Sequence, residues 1–139
     1  MRKDTRITAL VAIGTFTALS LISAFVWAMN KPPTTFERVS IDDIRSRIDD
    51  VVFIDVRASE AYVASHVKGA LHIPLTHLQG ELQYLPKGKT FVTYCSCPAE
   101  ESSGEAALVL QKFGLEAVAL LGGYDAWLQA GLPTAAGVK

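Results

Sequence analysis

From Ile7 to Met29 the chain runs for 23 residues without a single charge. A helix needs about 20 such residues to cross a bilayer. The run is diluted by Thr8, Gly14, Thr15, Thr17, Ser20 and Ser23, and Trp27 lies near its far end, where an indole suits the headgroup level. Arg2, Lys3 and Arg6 precede it, and only Lys31 follows closely. The positive-inside bias predicts that the N-terminus stays in the cytoplasm and that the rest of the chain is carried across. The expected location is the cell inner membrane, single-pass, with the C-terminal part on the periplasmic side. The alternative is a signal peptide cut after Ala28, which would release the remainder to the periplasm; the apolar run is longer than the roughly 7–15 residues usual for such a segment. Residues 1–31 are therefore read as a basic tip and anchor. Residues 32–35, which open on Pro32-Pro33, are read as a short stiff linker.

The two parts differ in charge. Residues 1–31 carry four bases and one acid, whereas residues 32–139 carry nine bases and thirteen acids. An overall charge of −1 gives no sign of nucleic-acid binding. With 50% hydrophobic and 19% charged residues the chain is not a disordered one. Two cysteines exclude a disulfide-stapled scaffold.

Beyond the linker, helical and strand-like segments alternate. Phe36–Val39 is a strand candidate. Ser40 with Asp43 resembles a capping box that opens a helix to about Ile48. Val51–Ile54 is a continuous apolar run, as expected of a strand covered on both faces. Ser59 is placed to cap a helix reaching about Ser65, and Ala70–Ile73 is a short strand stopped by Pro74. Leu75, Leu78 and Leu82 share a helical face. Thr90–Cys95 reads as a strand, and Ser102 or Ser103 as the cap of a helix carrying Ala106, Ala107, Leu110 and Phe113. Ala117–Leu121 is the last predicted strand, and Gly122-Gly123 turns into a final helix holding Trp127. Buried strands alternating with helices predict an α/β domain with a mainly parallel sheet. Sites in such sheets lie beyond the carboxyl ends of the strands. Three segments arrive there: Ile54–Arg57, Cys95–Ser102 and Leu120–Gly123.

An ordered set of short motifs runs through this region. It begins with Asp55-Val56-Arg57, Tyr62, His66, Gly69-Ala70 and Ile73-Pro74. It continues with Gly122-Gly123-Tyr124-Asp125-Ala126-Trp127 and Ala130-Gly131-Leu132-Pro133. Residues 36–133 thereby resemble a rhodanese-like domain, and residues 134–139 are left as a C-terminal tail. The resemblance implies an open five-stranded parallel sheet flanked by helices. It also implies a sulfurtransferase that carries sulfane sulfur as a cysteine persulfide, with no cofactor. Counting back six residues from the helix start of similar domains, which here is Ser103 with Ala106 and Ala107, gives Cys97 as the nucleophile. Pro98, Ala99, Glu100, Glu101, Ser102 and Ser103 then form the active-site loop, with Asp55, Arg57, His66 and Cys95 in support. Ala61 and Ser65 stand where relatives often carry Glu and Gly.

The residue types fit this chemistry. A thiolate is favoured by loop amides and by the positive end of a following helix, and it can attack a sulfur donor in one half-reaction and pass the sulfur on in another. The loop departs from the family in having Glu100 and Glu101 and no base. Two carboxylates there are expected to repel thiosulfate and to raise the thiol pKa, which points to a persulfide donor. A phosphatase is excluded because no Arg stands six residues after either cysteine. Asp55 and Arg57 read as an ion pair, His66 as a structural histidine, Tyr62 and Trp127 as packing, and His72 and His77 as having no identifiable partner. A Cys-x-Cys pair with three scattered histidines does not make a metal site. Extended, Cys95 and Cys97 would have Cα atoms about 6.6 Å apart, near the upper limit for a disulfide, so a bridge requires the loop to curl. Two other functions compete: a non-catalytic binding or redox-sensing module of the same fold, and a thiol–disulfide protein using Cys95 and Cys97 together.

Overall fold

A computed structural model describes residues 34–138. The expected membrane segment over residues 7–29 lies outside the described residues. Among the described residues no helix is long and apolar enough to cross a membrane.

Strand β1 (Arg38–Val39) leads into helix α1 (Ile41–Arg45). Ser40 caps this helix as its sequence suggests, with its Oγ accepting from the Asp43 amide at 3.2 Å. The helix is shorter than expected; a 3₁₀ turn over Ile48–Asp50 brings the chain into strand β2 (Val51–Asp55). Helix α2 (Ser59–Ala64) starts at Ser59 itself, so Ser59 is not its cap; Ala58 takes that position without a side-chain bond. Strands β3 (His66–Val67) and β4 (Leu71–His72) follow, and then helix α3 (Leu78–Glu81). Strand β5 (Thr90–Tyr94) precedes the longest helix, α4 (Glu101–Lys112). Strand β6 (Glu116–Leu120), helix α5 (Gly123–Gln129) and strand β7 (Thr134–Ala135) complete the fold.

Five strands form one sheet in the order β1-β6-β5-β2-β4. Every pairing in it is parallel, as the buried apolar runs predicted. Asp55 of β2 is level with Tyr94 of β5, so both strands end at the same height.

The strand period of two sends successive side chains to opposite faces. Phe91 on β5 and Cys95 just after it join the apolar cluster under α3 and α4, together with Ile54, Leu78, Ala106 and Leu110. Val92 and Tyr94 join the opposite cluster with Phe53, Ile44, Val67 and Trp127. Trp127 meets the Phe53 ring edge-on at 5.0 Å, which is the packing role its sequence position suggested.

The stretch set aside as a C-terminal tail is partly structured. β7 pairs antiparallel with β3, a two-stranded ribbon outside the main sheet. Pro133 O accepts from the Lys68 amide and from Trp127 Nε1, and Gly137 N–H donates to Val63 O at 2.8 Å. Two-residue strands carry too little periodicity to be read from sequence. Both residues of β3, His66 and Val67, are buried.

Candidate active site

Three chain segments meet at the carboxyl ends of β2, β5 and β6. The middle one holds both cysteines. Cys95 follows β5 directly and is only 3% exposed. Ser96 is exposed, and Cys97 is half-buried against the α4 side of the core. The chain curls here: the two Cα atoms are 5.6 Å apart and a disulfide joins Cys95 to Cys97. The curl that the extended geometry required is therefore present. The Cys97 amide donates to Cys95 Sγ at 3.4 Å, and Ser103 Oγ lies 3.5 Å from the same sulfur.

Pro98 and Ala99 are exposed in a tight turn closed by the Glu100 amide donating to Cys97 O at 3.2 Å. The turn runs straight into α4. The expectation that Ser102 or Ser103 caps this helix is corrected: it starts at Glu101, and Glu100 occupies the cap position in a left-handed conformation, φ 52°. Ser103 is buried and donates to Glu100 O. Ser102 is half-buried in the first turn.

Glu100 is not the free repelling charge that the sequence suggested. Its side chain turns away to accept from Arg38 Nε at 2.9 Å and from the Gly122 amide at 2.9 Å. Arg38 stands on β1 and is 44% exposed, whereas the Glu100 side chain is 7% exposed. Only Glu101 remains an exposed carboxylate of the loop. Arg38 has no local motif and is separated from Glu100 by 62 residues, so no sequence signal could have marked it.

Gly122 and Gly123 both have positive φ, 73° and 54°. A Cβ on Gly123 would collide with the Cys95 carbonyl. That close approach lets the Tyr124 amide donate to Cys95 O at 2.9 Å. The double glycine thus fixes the end of the cysteine segment against α5.

Asp55, Arg57 and His66 lie with the other face. Arg57 Nη2 contacts Asp55 Oδ2 at 2.6 Å, and the same nitrogen donates to Ser65 O at 2.7 Å. The expected Asp55–Arg57 ion pair is thus present. Tyr94 donates to Asp55 Oδ2 at 2.7 Å and accepts from the Val67 amide. The Arg57 guanidinium also lies 4.0 Å over the Tyr124 ring. Burial works against the Arg57 charge, but the hydrogen bond and charge of Asp55 outweigh it and raise its pKa. Burial, then the charge and hydrogen bond of Asp55, hold the Tyr94 hydroxyl well above its ordinary 10.0. Among the described residues this network meets the neighbours of the cysteine segment through Tyr94 and Tyr124. His66 is buried, stacks on Tyr62 with ring centroids 3.7 Å apart and bonds Tyr62 O through Nδ1. His72 does have partners, contrary to expectation, with its ring stacked on Tyr62 and its Nε2 3.1 Å from Arg57 O. His77 reaches only Thr76, at 3.4 Å.

Comparison with known proteins agrees with this layout. Residues 40–130 match the family described as a rhodanese-like domain. An uncharacterized protein of Synechocystis sp. is 39% identical over 87 residues, covering 62% of this chain and 48% of that protein. The chain therefore spans about half the length of that relative. The thiosulfate sulfurtransferase PspE of Escherichia coli is 34% identical over 71 residues, covering 51% of this chain and 68% of that protein. Among solved structures, the BH2092 protein from Bacillus halodurans superposes with a TM-score of 0.66 at 26% identity, covering 82% of this chain and 85% of that one. The matched span contains four of the five strands of the parallel sheet, the cysteine loop and the double-glycine turn, and on that ground the chain belongs to the rhodanese-like domain family.

Proposed function

We propose that the protein is a sulfurtransferase that carries sulfane sulfur on Cys97, in a domain held outside the cytoplasm. One observation carries the reading. Of the two thiols, only Cys97 is half-exposed, and a single tight turn separates it from the first turn of a 12-residue helix. The positive end of that helix favours the thiolate over the thiol. Similarity to a thiosulfate sulfurtransferase supports the same chemistry.

In the first half-reaction the Cys97 thiolate attacks the outer sulfur of the donor, and the donor's S–S bond breaks. Thiosulfate releases sulfite with the bonding pair; an alkyl persulfide releases its thiol. In the second, an acceptor thiolate attacks the outer sulfur of Cys97–S–S⁻ and the Cys97 thiolate leaves. The Cys95–Cys97 disulfide is the inactive form, since it occupies the nucleophile, and a dithiol must open it first. With Glu100 neutralised by Arg38, charge repulsion of an anionic donor falls to Glu101 alone.

The test uses the reduced full-length chain in detergent, with thiosulfate and with glutathione persulfide as donors. Donor cleavage, read as released sulfite or glutathione, is expected from the wild type and from Cys95→Ser, and is expected to vanish in Cys97→Ser. Cleavage that survives Cys97→Ser, or none with either donor, would overturn the assignment.

A further inference from the structure

Cys95 is a second sulfur at the site for which sulfur transfer by Cys97 has no use. It is 3% exposed, so neither a donor nor an outside acceptor reaches it. It is nevertheless near enough to Cys97 to be bonded to it, and among the described residues no other thiol exists. Its surroundings are not those of an inert packing cysteine. The Cys97 amide points at its sulfur and the Ser103 hydroxyl lies beside it. An N–H donor to sulfur favours the thiolate form. A buried thiol this close to a persulfide-bearing cysteine is placed to attack its inner sulfur.

We propose that Cys95 is a resolving thiol that discharges the Cys97 persulfide as hydrosulfide, so that the protein reduces sulfane sulfur at the expense of an external dithiol. The proposal rests on persulfide formation at Cys97. The Cys95 thiolate attacks the inner sulfur of Cys97–S–SH. The Cys97 Sγ–sulfane bond breaks, its electron pair leaves with the outer sulfur as HS⁻, and the Cys95–Cys97 bond forms. The sulfane sulfur gains two electrons, and the two cysteine sulfurs supply them. A dithiol reductant, small or proteinaceous, then opens the disulfide by two successive exchanges and is itself oxidised to a disulfide. With thiosulfate as donor, the sum is thiosulfate plus dithiol giving sulfite, hydrogen sulfide and the oxidised dithiol.

Two features favour this route over retention of the persulfide. The attack is intramolecular between groups held two residues apart, so it competes with outside acceptors at high effective concentration. The departing group is hydrosulfide, a weaker base than an alkyl thiolate, and the weaker base leaves faster in thiol–disulfide exchange. Burial of Cys95 gives direction as well: the exposed cysteine accepts sulfur and the buried one expels it.

The experiment is a single turnover without oxygen. The reduced full-length chain in detergent is mixed with thiosulfate, the donor is removed, and sulfite, sulfide and intact mass are measured before any thiol is added. The wild type is expected to release one sulfide for each sulfite and to end two hydrogens lighter than it began. Cys95→Ser and Cys95→Ala are expected to release sulfite, to hold one extra sulfur, and to yield sulfide at least about tenfold more slowly until dithiothreitol is supplied. Their uptake of sulfur is itself evidence that they are folded. A wild type that keeps the extra sulfur as firmly as the two variants overturns the resolving role while leaving the sulfurtransferase reading intact. Sulfite from none of the proteins overturns both.

Discussion

Tyr94 binds the floor of the site together through a single oxygen. Its hydroxyl donates to Asp55 and accepts from the Val67 amide, joining β2, β3 and β5. Burial and the Asp55 charge raise its pKa above the 10.0 at which an unfolded tyrosine ionises. A group whose pKa is raised on folding contributes stability that is intact below the unfolded value and is lost as pH rises past it. The unfolding free energy of the wild type is therefore expected to fall between pH about 9 and about 11. Tyr94→Phe should cost about 2–4 kcal/mol at neutral pH, because it removes two buried hydrogen bonds, one of them to a carboxylate, yet show a shallower loss over the same window. Denaturant melts at the two pH values check this. Equal slopes in wild type and variant would assign the alkaline loss to another group, such as Tyr62, whose pKa burial also raises. At this scale the sequence was informative for Asp55, Arg57, His66 and Trp127. It was silent on Tyr94, because a buried tyrosine in a β-rich run looks like packing until its hydroxyl partner is seen.

Among the elements, α4 decides where Cys97 sits, and its start is held by a contact from the far edge of the sheet. Glu100 is buried in the cap position, while its partner Arg38 on β1 is half in solvent. An exposed ion pair is worth about 0–1 kcal/mol, but removing the partner of a buried charge leaves that charge uncompensated. Arg38→Ala is thus expected to destabilise by about 1–3 kcal/mol. Adding Glu100→Gln should recover most of the loss, since the amide can still accept from Gly122. Urea unfolding of the two single variants and the double variant measures it. A loss in Arg38→Ala below about 0.5 kcal/mol, the scatter of ordinary surface changes, would show that the pair is only a surface contact. The apolar stripe of Ala106, Ala107 and Leu110 made the body of α4 legible. Its start was not, because the chain uses a left-handed glutamate tied to a distant arginine where a local serine cap was expected.

For the whole molecule, the basic cluster ahead of the 23-residue uncharged run leads us to propose an N-in, C-out chain. A periplasmic-type reporter fused after Lys139 is expected to be active, and a cytoplasmic-type reporter inactive. The reverse pattern would refute the topology, and membrane fractionation distinguishes a retained anchor from a cleaved signal. An oxidising compartment also suits the redox chemistry of the cysteine pair, because a disulfide once formed there persists until a dedicated dithiol reaches it.

The sequence by itself determined the class of the domain, the alternation of its long elements, and the position of Cys97 at a strand end. Those features are written in local periodicity and in short motifs whose order survives along the chain. The short β3–β7 ribbon, the withdrawal of Glu100 onto Arg38 and the curl that joins Cys95 to Cys97 were decided only by the tertiary structure. Each depends on contacts that become available only after the sheet has brought distant segments together: Pro133 beside Lys68, Arg38 beside Glu100, and Gly123 against the carbonyl of Cys95.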